Sequence, residues 1–159
     1  MIDPLDGRLL AILAARPRAG MLTIARALNV ARGTAQARLD KLIARGVVTG
    51  FGPDVDLGAV GYKVTGFVTL EIAQGRMTDV AEHLRDIPEV LEVHMVTGVG
   101  DLHCRVAART NDDLGVVLAH ILEVPGINRT TTVLSIATVF DHRTIPAVLK
   151  AAGLDPAVA

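Results

Sequence analysis

Leu22–Phe51 reads LTIARALNVARGTAQARLDKLIARGVVTGF. Two short helical stretches are joined by a tight turn, and a glycine stop leads into an extended segment. In the second stretch Ala35, Leu39, Leu42 and Ile43 fall on one face. Thr34, Arg38, Lys41 and Arg45 fall on another, at i, i+4, i+7 and i+11. An apolar stripe beneath a cationic one, held at an angle by a preceding helix, suits a recognition helix lying in a DNA groove.

The distribution of charge agrees with this reading. The whole chain carries a net charge of -1, with half its residues hydrophobic and a mean hydropathy of +0.43. Residues 1–50 hold 8 Lys and Arg against 3 acidic residues, whereas residues 51–159 hold 8 against 14. The first segment is therefore +5 and the second -6, a division that concentrates attraction for phosphate at one end.

At 159 residues the chain suits one mid-sized domain or two small ones. Aromatic residues make up 3%, so the cores must be built from Val, Leu, Ile and Ala. The single cysteine, Cys104, has no partner for an internal disulfide, which fits a reducing compartment. No apolar run approaches the roughly 20 residues that span a bilayer. The opening MIDPLDGRLL lacks the basic-then-apolar order of a signal peptide. A cytoplasmic protein with no membrane association is expected.

The first helix is read from Asp3-Pro4-Leu5-Asp6. Asp3 serves as N-cap, Pro4 suits the first helical position and Asp6 adds a carboxylate to the first turn. Leu5, Leu9, Ile12 and Leu13 form its apolar face. A second helix covers about residues 21–28, with Ile24, Ala25 and Leu28 inward and Asn29 at the left-handed C-terminal position. The third helix has a weak start, because Ala31-Arg32-Gly33 offers no capping side chain. Either Thr34 caps a helix that begins one turn later, or a bound phosphate satisfies the free amides. Beyond it, Val47-Val48 reads as a wing strand. Five glycines around Pro53 (Gly46, Gly50, Gly52, Gly58 and Gly61) read as a linker.

Residues 66–140 alternate between strand and helix patterns. Val68-Leu70-Ile72, Leu91-Val93-Met95 and Leu102-Cys104-Val106-Ala108 have period two. Val80, Leu84 and Ile87, then Leu114, Val117, Leu118 and Ile121, have helical spacing. Ile87-Pro88-Glu89-Val90 and Val124-Pro125-Gly126-Ile127 mark the same helix-to-strand corner twice. The order is βαββαβ, a ferredoxin-like unit. Two helices on one face leave the other face for a second protomer. Thr97-Gly98-Val99-Gly100-Asp101 joins the inner strands. Its amides suit a ligand carboxylate and Asp101 an ammonium group, although a plain β-turn explains the same residues.

These motifs together resemble the leucine-responsive/asparagine-responsive (Lrp/AsnC, feast/famine) regulators. The matching residues are Asp3-x-x-Asp6 with Leu9 and Leu13, Ile24-Ala25-x-x-Leu28, and Arg38-x-x-x-Leu42-x-x-x-Gly46-Val47-Val48-x-Gly50-Phe51. They continue through Leu57 to Gly61, Thr97-Gly98-x-x-Asp101-Leu102 and Pro125-Gly126-Ile127. The resemblance implies an α+β protein: an N-terminal winged helix-turn-helix followed by a ferredoxin-like βαββαβ effector and oligomerisation domain. The expected divisions are a DNA-binding domain over 1–50, a linker strand over 51–65, the sensing and dimerisation domain over 66–140, and a helix and tail over 141–159. It further implies homodimers assembling into a tetramer or octamer, with a small effector, an amino acid, held between dimers. It makes the loop 97–101 a ligand site, with Thr132, Leu134 and Ser135 as companions. Two departures stand out. Ala31-Arg32 replaces the family's usual Ser-Pro, and Asp40 occupies a position that is often basic.

The expected partner is double-stranded DNA, contacted by Arg32, Thr34, Gln36, Arg38, Lys41 and Arg45. Gln36 is the base reader, because an amide pairs bidentately with adenine. Arg38, Lys41 and Arg45 are assigned to phosphate. On this assignment Arg38→Ala weakens binding to all sequences and lowers the salt dependence. No catalytic motif, cofactor site or metal site is expected. His103 and Cys104 point to opposite faces of one strand, and His94 and His103 fit a polar pair on a dimer face. A tetrapyrrole (sirohaem) decarboxylase resembles the same two-domain layout and is the alternative. A sensor acting on other proteins without DNA is a third reading. The segment from His142, with Ile145, Val148 and Leu149, reads as a short amphipathic helix that docks on a neighbour or covers its own domain.

Overall fold

The computed structural model describes residues 2–158 and divides the chain into two compact units. One runs as far as Pro53 and takes in the chain again from Phe140; the other is Asp54–Val139.

The first unit starts with α1 (Pro4–Ala15), which opens on a reciprocal capping box. The Asp3 carboxylate accepts the Asp6 N–H at 2.9 Å, and the Asp6 carboxylate accepts the Asp3 N–H at 3.2 Å. α2 (Met21–Leu28) ends on Asn29 in the left-handed region, with φ 56°. The Asn29 N–H then reaches the Arg26 carbonyl and the Val30 N–H that of Ala25, a Schellman closure. α3 (Arg32–Ala44) ends the same way on Gly46, with φ 68°. Here the Gly46 N–H donates to the Ile43 carbonyl and the Val47 N–H to that of Leu42, both at 2.9 Å. Leu9, Leu10, Ile24, Leu39 and Leu42 form the core, and the small buried Ala25 and Ala35 allow the helices to close on one another.

Expectations for this unit and for the stretch that follows it change. Ile43 is 43% exposed, because one residue beyond Leu42 is turned about 100° around the helix, away from the core. Val47-Val48 forms no wing strand: the amides of both residues close on the Leu42 carbonyl, so neither is free for a ladder. The stretch expected as a linker strand is irregular until Val64, consistent with its glycines and Pro53. At the other end of the chain, α6 (Ile145–Ala151) returns to the first unit. It packs on α1 of its own unit, with Leu149 and Ala152 buried and Val148 against the helical core, which is the second of the two readings of this segment. Gly7 permits this approach, since a Cβ built there would lie 2.6 Å from the Ala152 Cβ. The boundary expected at residue 141 thus becomes a return of the chain into the first unit.

The second unit contains β1 (Val64–Ile72), α4 (Met77–Arg85), β2 (Val90–Met95), β3 (Leu102–Ala108), α5 (Asn111–Leu122) and β4 (Ile127–Leu134). This is the expected βαββαβ order. The sheet is antiparallel throughout, in the order β2-β3-β1-β4, with Val68 opposite Cys104 on one side and Thr132 on the other. Val68, Leu70, Cys104 and Val106 meet Val80 and Leu84 of α4 and Leu114, Val117 and Ile121 of α5. α5 begins on Thr110, whose hydroxyl accepts the Asp113 N–H at 3.1 Å. The opposite face is open. Phe67 lies beside Val133, which is 61% exposed, and Ile136 and Val139 just beyond β4 are almost wholly exposed. On that face the Phe67 ring stacks on His103 at 5.8 Å, with 7° between the planes. Among the described residues no helix is long and apolar enough to cross a membrane.

Candidate nucleic-acid interface and effector loop

α3 owes its orientation to Ala35, Leu39 and Leu42, which point into the core. Arg32, Thr34, Gln36, Lys41 and Arg45 are exposed, as the amphipathic pattern requires. Ala31 is the N-cap, no side chain caps the helix, and Thr34 lies inside the first turn. The choice left open in the sequence is thereby narrowed: Thr34 does not begin a later helix. The first amides of α3 remain without a side-chain acceptor beside a cationic surface.

Arg38 is engaged within its own unit. Its Nη1 donates to Asp3 Oδ2 at 2.6 Å and to Asp6 Oδ1 at 2.8 Å. Hydrogen bonding to Asp3, then to Asp6, raises the arginine pKa above its ordinary value. The Asp6 amide, followed by Arg38, holds the Asp3 carboxyl below its ordinary value. With the capping box, each of the four carboxylate oxygens now has a donor. The sequence contains both D-x-x-D and the cationic stripe, but helical spacing does not reveal that they meet. Gln36 is also engaged, its Nε2 donating to Asp40 Oδ1 at 2.8 Å one turn along. Asp40 thus orients the amide assigned to read a base.

The clamp predicts an acid response. Because the folded pKa of Asp3 is lowered, the stability it confers is complete above about pH 4 and is lost as pH falls through the folded value. Asparagine caps a helix as well as aspartate does. Thermal melts of wild type and Asp3→Asn should therefore differ near neutrality and converge below pH 3.

In the second unit Thr97–Asp101 links β2 to β3, with Gly98 at φ 104° and Gly100 at φ 82°. A Cβ at Gly100 would strike the Thr69 side chain and lie 3.1 Å from the Leu70 carbonyl oxygen. Asp101 is committed to the fold on one side: its Oδ2 accepts the Ile72 N–H at 2.7 Å, and its own N–H donates to the Leu70 carbonyl at 2.8 Å. Thr97, Gly98 and Val99 are exposed. The loop sits at the Leu70 end of β1. Leu134 pairs with Gly66 and the Ser135 N–H donates to the Thr65 carbonyl, four or five residues back along the same strand. At 3.3 Å per residue that separation is roughly 13 Å or more. Thr132, opposite Val68, lies between them. One chain therefore does not gather the loop and Leu134-Ser135 around a single small molecule.

His94 and His103 are direct cross-strand partners. His103 Nδ1 lies 3.2 Å from Thr69 Oγ1, and His94 Nε2 lies 3.4 Å from Glu92 Oε2. Among the described residues no three His, Cys, Asp or Glu side chains assemble as a metal site. Burial pushes the Cys104 thiol up to about 11, far from a nucleophile's value. The sequence reading did not anticipate an open cavity of about 610 Å³ at the far end of the sheet. It lies between the Ile87-Pro88-Glu89 corner and α5, and the Arg109 guanidinium stands 5.5 Å above the Tyr62 ring.

Residues 2–43 match the AsnC-type helix-turn-helix domain, and residues 65–145 match the Lrp/AsnC ligand binding domain. The HTH-type transcriptional regulator FL11 of Pyrococcus horikoshii is 28% identical over 137 residues, covering 86% of this chain and 91% of that protein. The structure of E. coli AsnC aligns with a TM-score of 0.86 at 25% identity, over 92% of this chain and 99% of that one. A feast or famine regulatory protein from M. tuberculosis, complexed with L-methionine, aligns with a TM-score of 0.82 at 26% identity, over 91% and 98%.

Proposed function

Because the chain belongs to the Lrp/AsnC family of DNA-binding transcriptional regulators, we propose that α3 reads a specific duplex while the sheet unit senses a small amino acid. The observation that carries this reading is the exposure of Arg32, Thr34, Gln36 and Lys41 over the buried Ala35, Leu39 and Leu42. Thr34 and Gln36 face base edges, whereas Arg32, Lys41 and Arg45 face phosphate. The uncapped amides of α3 favour a phosphate oxygen at the same end.

The effector assignment draws support from the methionine-bound relative and from the exposed Thr97-Gly98-Val99. The separation of that loop from Leu134-Ser135 favours a site built from more than one protomer. Its carboxylate would meet loop amides, and its ammonium group the remaining Oδ1 of Asp101. A second protomer over the open sheet face gives the dimer, and dimers then associate into a tetramer or octamer. The protein acts by binding rather than by catalysis. A tetrapyrrole decarboxylase remains the competing reading on its layout alone.

Duplexes selected from a random-sequence pool by the purified full chain should share one half-site motif. Lys41→Ala should weaken all of them and reduce the slope of log K against log salt by about 0.9. A thermal-shift screen of the twenty amino acids should identify a ligand that raises the melting temperature. Protein that binds sirohaem and selects no duplex would reverse the assignment.

A further inference from the structure

We infer that Arg38 is a positioning residue, which locks α3 to the N-terminus of α1, and that it makes no phosphate contact. The inference rests on the DNA-binding reading and reassigns one residue within it. Arg38 lies on the surface that presents Thr34, Lys41 and Arg45, so its place alone would make it a phosphate ligand.

Its partners argue otherwise. The capping box uses Asp3 Oδ1 and Asp6 Oδ2, and the two remaining oxygens are those that Arg38 closes. The trio of Asp3, Asp6 and Arg38 carries a net charge of -1, so as a unit it does not attract a phosphate. Turning Arg38 towards DNA would strip the cation from Asp6, whose side chain is only 12% exposed. Such a carboxylate is not readily resolvated, and removing one partner of a half-buried pair costs more than the pair itself contributes. Both hydrogens of one nitrogen, Nη1, are used, and they bridge two carboxylates from opposite ends of the capping box. One nitrogen thus ties a single point of α3 to both ends of the capping box.

The clamp joins residues 32 and 35 positions apart, so it fixes tertiary rather than local structure. It sets the angle at which the first turn of α3, with Arg32, Thr34 and Gln36, leaves the unit. DNA affinity would therefore depend on Arg38 without any charge from Arg38 reaching the backbone of the duplex.

The salt slope separates the two roles, because only a cation that meets phosphate contributes to it. Affinity for the selected duplex should be measured from low to moderate salt for wild type, Arg38→Gln and Arg38→Ala. A positioning role predicts that Arg38→Gln, which loses the charge but keeps an amide donor, binds about five-fold more weakly, the cost of about one hydrogen bond, with the wild-type salt slope. Arg38→Ala should bind more weakly still, again with an unchanged slope. Wild-type affinity in both variants, or a slope lower by about 0.9 in either, would overturn the inference. If Arg38→Ala fails to fold, Arg38→Gln alone decides. Wild-type protein that binds no selected duplex would instead sink the DNA-binding reading itself.

Discussion

Phe67→Asp is expected to leave the protein monomeric and to cut its affinity for duplex DNA by about 100-fold or more. Phe67 lies on the inner strand β1, between His103 of β3 and Val133 of β4, on the sheet face that no helix covers. A two-fold interface presents the same patch from both protomers, so an aspartate there would bring two uncompensated charges into a desolvated apolar contact. The loss at DNA follows because two linked recognition helices bind at the effective concentration that their linkage sets, whereas separate ones do not. The α3 surface is too weakly cationic to compensate, since Asp40 lies on it and Arg38 is already paired. Sedimentation at micromolar concentration and DNA titration of the same samples provide the check. A dimeric Phe67→Asp, or a monomeric wild type that still binds tightly, would defeat the proposed arrangement.

The second large effect lies at Gly7. A leucine there should lower the melting temperature of the helical unit by on the order of 10 °C, through overpacking of 1–3 kcal/mol. The first carbon of the new side chain would already lie 2.6 Å from the Ala152 Cβ and 3.2 Å from Leu154 Cδ1. Neither α1 nor α6 can accept it without separating, and separation exposes Leu149. Gly115, in α5, makes the opposite case, because a Cβ there meets nothing within 4 Å. Gly115→Ala should stabilise the sheet unit by up to about 1 kcal/mol from helix propensity alone. Differential scanning calorimetry of the two variants tests both signs, and a stabilising Gly7→Leu would mean that α6 is not seated on α1.

Local chemistry was legible in the sequence wherever one residue type has one conformational use. Asp3, Pro4 and Asn29 announced the ends of two helices because a cap and a left-handed terminus each accept few side chains. The period-two runs identified all but one of the four strands directly, although in β2 the run misplaced the inward face: Val93 packs on the core while Leu91, beside a register shift, and Met95 are exposed. Val47-Val48 misled because its strand-forming side chains were weighed without the amides, which the Schellman closure of α3 had already engaged. Arg38 shows a different limit. Helical spacing places a side chain on a face but says nothing of what another helix brings to that face, and here it brought two carboxylates. The effector residues show the same limit on a larger scale. The loop 97–101 and Ser135 lie on one strand's two neighbours, yet at different levels along it.

The seating of α6 on α1 also bears on how the protein is made. A nascent chain usually completes its first domain before the next emerges from the ribosome. Here the first unit lacks its covering helix until α6 has been synthesised, by which time the whole of Asp54–Val139 has preceded it and is available to fold. A folded insert holds its two ends at a fixed separation, so the closure entropy for bringing α6 back to α1 is that of a much shorter loop. The order of maturation is then inverted relative to the order of translation: the sheet unit can form first, and the helical unit is completed after it.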